Sequence, residues 1–258
     1  MGAWRDKPTI NPGYGYLMFP IRDSVPKYST PVVVYSLIIA NTLVFLVQIS
    51  APNPDFIIQQ FALFPIYHFL PDGTLRPGHG FFDYMPFITA TFLHGGWLHI
   101  IFNMWTLFIF GSTLESRLGS PQFLIFYLLC AFASTYAHGY FNAASYVPVI
   151  GASGAIAGVI GAYALRFPRA RLTLLVPIIF IPLIFTIPAL SYAVIWFGIQ
   201  ILQQTWEAMR PSMGGGVAWW AHIGGFIAGV ALLPVFLLFA PPSRRLNNIT
   251  RGPWDRLH

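Results

Sequence analysis

Four side chains in this sequence have the types that acyl transfer requires: the hydroxyl of Ser153, the imidazoles of His222 and His99, and the carboxamide of Asn103. A serine hydroxyl is a weak nucleophile until a base within hydrogen-bond reach takes its proton. The intermediate that follows needs donors aimed at its oxyanion. His99 and Asn103 are spaced i, i+4, so on a helix they share a face and can act together as such donors. Ser153 lies in Gly151-Ala152-Ser153-Gly154, and His222 in Ala221-His222-Ile223-Gly224-Gly225. Taken singly, each has a plainer reading: a serine in an apolar run is a packing residue, and a histidine there is a structural hydrogen-bonder or a haem ligand. What decides between the readings is whether the chain brings them together.

The elements that must do so are membrane spans. Of 258 residues, 56% are hydrophobic, 17% aromatic and 9% charged, against about 25% charged in ordinary soluble domains. So few charges cannot solvate a soluble surface of this size. One cysteine excludes a disulfide scaffold, and the abundance of aliphatic residues excludes disorder. The net charge of +6 comes from residues that punctuate apolar runs, which is a topology signal and not a nucleic-acid face. About 20 apolar residues span a bilayer. The runs 32–50, 98–114, 121–141, 189–206 and 218–240 approach that length, and 151–167 is a shorter Gly/Ala-rich run suited to burial among other helices. The run 172–187 is apolar but is interrupted by Pro177 and Pro182 and closed by Pro188, so it is expected to be re-entrant or interfacial. The expected architecture is an all-α bundle of six transmembrane helices over 32–240. A cytosolic segment 1–31 precedes it, without a cleavable signal or transit peptide, and a cytosolic tail 241–258 follows.

Charge bias agrees with six spans. With the N-terminus inside, twelve of the fourteen Lys and Arg residues fall inside and Arg76 and Arg210 outside; a seventh span at 172–187 would change that to eight against six. In the six-span topology 98–114, 151–167 and 218–240 all start at the outer face, which puts His99, Asn103, Ser153 and His222 at one shallow level, about 5 Å deep for the last two. Small residues at Ser153, Ala157 and Gly161 on one helix, beside Gly154, Gly158 and Ala162, and at Ala221, Gly225 and Gly229 on the other, permit close backbone approach there. Carboxylates lie at span ends (Glu115, Glu207), so no acid completes a triad inside the membrane. No metal is expected, because His94 and His99 lack the interposed glutamate and do not share a helical face. Cys130 reads as a small buried hydrophobe.

The sequence resembles the rhomboid intramembrane serine proteases. The resemblance is carried by Phe92-Leu-His-Gly-Gly-Trp-Leu-His99-Ile-Ile-Phe-Asn103, by Gly151-Ala-Ser153-Gly154, and by Ala221-His222-Ile-Gly-Gly225 with Gly229, in the family's order over about residues 30–240. It implies Ser153 as nucleophile, His222 as general base without an acid, His99 and Asn103 as oxyanion donors, and a structural role for His94. It further implies a half-submerged first outer loop, which fits the aromatic stretch 51–97, and no cofactor. The implied substrates are transmembrane segments of other proteins, cut near the outer face. The alternative is a non-catalytic relative that binds transmembrane helices; such relatives typically lack the serine or the histidine, and both are present here. Short loops and small termini suggest a bacterial cytoplasmic membrane. Two departures stand out. Met85-Pro86 occupies the place of a Trp-Arg pair, so the loop must be anchored differently. Ala157 stands where some members stack a tyrosine on the histidine, so that support is expected from Trp219 or Trp220.

Overall fold

The structure is a computed structural model that describes residues 19–78, 80–178, 181–209 and 218–240. Most of the expected N-terminal segment, the 241–258 tail, His79 and Arg210 lie outside the described residues. The elements in order are β1 (Phe19–Asp23), α1 (Val32–Ser50), α2 (Pro54–Phe61), α3 (Trp97–Leu118), α4 (Ser120–Phe141), α5 (Ser153–Arg166), β2 (Arg171–Ile178), β3 (Ile181–Pro188), α6 (Ala189–Met209) and α7 (Trp219–Leu238). Four of these helices, α1, α3, α4 and α7, are long and apolar enough to cross a membrane. α3 passes through a π-helical turn at Leu107–Gly111.

α5 has 14 residues, about 21 Å of helix. Every residue from Gly154 to Ala164 is buried, which is what its Gly/Ala composition implies. Its tightest partner is α7, and glycine makes the contact possible: a Cβ at Gly225 would overlap the Gly154 carbonyl, and one at Gly229 the Gly158 carbonyl. The touching face of α5 is Gly154, Gly158 and Gly161, one residue around from the Ser153–Ala157–Gly161 stripe. Gly225→Ala should therefore cost about 1–3 kcal/mol or more through overpacking. A thermal melt would register it. Gly198→Ala on α6, where a Cβ meets open space, is the matched control and should leave the midpoint unchanged or slightly raised.

The all-α expectation is corrected by a three-stranded antiparallel sheet in the order β1-β2-β3. The run 172–187 is neither a span nor a broken helix. It is a β-hairpin, registered from Arg171↔Pro188 to Ile178↔Ile181. Pro182 and Pro188 fit because they are on β3, the edge strand among the described residues, while the described part of β1 pairs with β2 from Asp23↔Leu172 to Phe19↔Leu175. Leu172 and Leu174 alternate into the core. The sheet closes the end of the bundle away from Ser153. Asp23 of β1 accepts hydrogen bonds from Thr113 (2.6 Å) and from Tyr163 (3.2 Å), some 15 Å along α5 from Ser153. Nearby, buried Glu115 accepts from the amides of Val33 and Val34 and from Ser120 Oγ, capping the start of α1.

The segment between α1 and α3 is folded. It contains α2 and short helical turns at Pro65–His68, Phe81–Tyr84 and Pro86–Thr89. With no Trp-Arg pair, other contacts anchor it. The Gln48 amide clasps the backbone of His94 from both sides (2.8 and 3.1 Å), and Thr135 Oγ1 donates to the Phe87 carbonyl (2.8 Å). Leu63 bridges Val149, and Phe69 and Phe87 are buried against Tyr136.

Candidate active site

Gly151 is the hinge on which the site is assembled. Its φ of +113° is a conformation that side-chain-bearing residues rarely adopt. Its amide donates to the Ala90 carbonyl (2.9 Å), tying the loop before α5 to the segment before α3. A Cβ here would press on the His99 imidazole at 2.7 Å and approach Asn103 Nδ2 at 3.6 Å. Glycine thus lets the backbone entering α5 lie directly on His99 and Asn103. Ser153 follows as the first residue of α5, with its amide at the helix N-terminus, where backbone N–H groups lack intrahelical partners.

The Ser153 hydroxyl lies 2.8 Å from His222 Nε2, within hydrogen-bond reach. On the other side of the ring, His222 Nδ1 is 2.7 Å from Gln200 Oε1 of α6. His99 Nδ1 accepts from the Gly95 amide at 3.3 Å, which leaves the proton of the neutral ring on Nε2, the nitrogen that faces Gly151. Asn103 Nδ2 is buried and has no hydrogen-bond partner among the described residues. α3, α5 and α7 therefore bring together the four side chains that the spacing selected, and α6 adds Gln200.

Of the two tryptophans expected to support His222, Trp219 does so, with ring centroids 5.8 Å apart at 81°, while Trp220 stacks on Phe141 at 3.9 Å. Trp196 of α6 is a further neighbour, at 5.8 Å and 43°. Neither Trp196 nor Gln200 was selected from the sequence. Gln200 had a signal: it is a glutamine within an apolar run, between Ile199 and Ile201, and polar groups at membrane depth are costly without a purpose.

His94 is fully buried just before α3, against the rings of His99 (5.1 Å) and Phe45 (6.4 Å). Burial, with a smaller contribution from His99, lowers its pKa from 6.5 to about 3. The folded chain thus refuses a proton that the unfolded chain accepts near pH 6.5. Stability should be complete above that pH and decline as pH falls toward about 3. Melting midpoints measured across this window should fall for the wild type, and fall less steeply for His94→Leu.

The Rhomboid domain profile matches residues 82–239, more than half of the chain. The protein belongs to the rhomboid family. It is 31% identical over 149 residues to presenilin-associated rhomboid-like protein A, mitochondrial, of Danio rerio, covering 57% of this chain and 36% of that protein. Its identity to the Homo sapiens presenilin-associated rhomboid-like protein, mitochondrial, is 30% over 148 residues, covering 56% and 36%. For rhomboid protein 1, mitochondrial, of Saccharomyces cerevisiae, it is 30% over 148 residues, covering 55% and 39%. The matches thus span well under half the length of these relatives. Their names overturn the expectation of a bacterial cytoplasmic membrane, and with it the assignment of the termini to the cytosol. Short loops are a property of the helical core, which says nothing about the membrane that holds it.

Proposed function

We propose that this protein is an intramembrane serine endopeptidase that cuts transmembrane segments of other membrane proteins near the membrane face where Ser153 lies. In this reading the chain crosses the bilayer six times, α5 and α6 being the two crossings that are short or less apolar, and residues 32–240 form the protease domain. The segment between α1 and α3, with exposed Phe56, Tyr67 and Phe82, lies half-submerged in the interface. The relatives' names point to a mitochondrial membrane.

The observation that carries this reading is the 2.8 Å contact between Ser153 Oγ and His222 Nε2. His222 takes the hydroxyl proton as Oγ attacks the scissile carbonyl, and returns it to the leaving amine. The carbonyl oxygen becomes an oxyanion held by Asn103 Nδ2, His99 Nε2 and the Ser153 amide, the last with the helix dipole in its favour. His94, Gly151, Gly154, Gly225 and Gly229 keep these groups in register. The reading needs no metal or nucleotide.

The test is fluorophosphonate labelling of purified protein in lipid bicelles, with the adduct located by mass spectrometry and cleavage of a model transmembrane substrate followed in parallel. The expected result is a single adduct on Ser153 together with cleavage. Folded protein that binds the substrate but neither labels nor cleaves would make it a non-catalytic binder.

A further inference from the structure

Resting on the reading just given, we infer that Gln200 is a positioning residue for the reaction: it holds His222 in the one tautomer that can act as base toward Ser153. A neutral imidazole has one donor and one acceptor nitrogen. To accept from Ser153 Oγ–H, Nε2 must carry the lone pair, so the proton must be on Nδ1. Gln200 selects that form. Its Nε2 donates to the Trp196 carbonyl one turn back at 3.2 Å, and a carbonyl can only accept. The amide is thereby oriented with Oε1 toward His222, 2.7 Å from Nδ1. An acceptor at that position stabilises Nδ1–H and repels the lone pair of the other tautomer.

Flipping the amide would fail at both ends. It would put an NH2 donor against Nδ1, favouring the wrong tautomer, and would set Oε1 against the Trp196 carbonyl. Gln200 is 2% exposed, so neither loss could be made good by water. A triad carboxylate does the same job with a charge, which is expensive at membrane depth. A neutral amide supplies direction without that cost. It also makes a third helix part of the base: Ser153 is on α5, His222 on α7, and the group that orients the ring on α6.

The experiment uses the full chain in bicelles with 15N-labelled histidine, and compares wild type with Gln200→Met and Gln200→Glu. Methionine keeps the length and volume but lacks the acceptor, and glutamate keeps the acceptor. The wild-type His222 resonances, assigned by their loss in His222→Phe, should be those of the Nδ1–H tautomer. Gln200→Met should mix the tautomers and slow both fluorophosphonate labelling of Ser153 and kcat about 10- to 100-fold, as expected for one buried hydrogen bond, with KM unchanged. Gln200→Glu should recover most of the rate. An Nε2–H tautomer in the wild type overturns the inference whatever the variants do. So does a Gln200→Met protein that labels at the wild-type rate, or a Gln200→Glu protein as slow as Gln200→Met. Failure of the protease reading looks different: wild type and Ser153→Ala would both remain unlabelled, while the tautomer spectrum still reports on Gln200.

Discussion

Ser153→Ala is expected to abolish cleavage of a transmembrane substrate, with a fall on the order of 10⁶-fold in kcat, as when the nucleophile of a serine hydrolase is removed. The physical reason is that Ser153 is the hydroxyl that hydrogen-bonds the His222 ring. The substitution removes one oxygen from the start of α5 and leaves the glycine contacts between α5 and α7 intact, so the melting midpoint should move little. The loss should therefore appear in kcat, with substrate still captured by the variant in a pull-down from the same bicelles. Cleavage by folded Ser153→Ala protein at more than a trace of the wild-type rate would remove Ser153 from the mechanism and the protease assignment with it.

The parts of this site that could be read in the sequence are those set by one-dimensional rules. Helical rise converts residue number into depth, which places Ser153 and His222 at one level. The i, i+4 spacing put His99 and Asn103 on one face. Small residues at four-residue intervals marked α5 and α7 as neighbours, although the touching face proved to be Gly154–Gly158–Gly161. What could not be read depends on the pairing of distant segments. The prolines of 172–187 ruled out a clean helix, but the strand they belong to is completed by Phe19–Asp23, some 150 residues earlier. Because the hairpin is apolar on both faces, it lacks the alternation that marks a strand. Gln200 and Trp196 are functional neighbours only because α6 lies against His222; a glutamine between Ile199 and Ile201 marks a polar group at membrane depth but does not name its partner. Membrane identity is less legible still, since the same helical core suits any bilayer.

Asn103→Ala should lower kcat about 100- to 1,000-fold, or roughly 2.7–4 kcal/mol, the usual effect of deleting one oxyanion donor. Asn103 Nδ2 is buried without a partner among the described residues, so in the resting protein its N–H groups are held ready and unspent. An unpaired buried donor costs stability, about 1–3 kcal/mol for a neutral group. Removing it should thus leave the melting midpoint unchanged or raised, while the rate collapses. A structural asparagine would behave in the opposite way, losing stability and keeping its rate per folded molecule. His99→Ala should give a smaller loss in rate together with some loss of stability, because that ring also accepts from the Gly95 amide, packs edge-to-face with His94 and supports Gly151. The double variant should lose less than the product of the two single effects, since both donors serve one oxygen. The melting curve of Asn103→Ala is the sharpest readout. A fall of several degrees with an unaltered rate would assign Asn103 to packing and leave the oxyanion to His99 and the Ser153 amide alone.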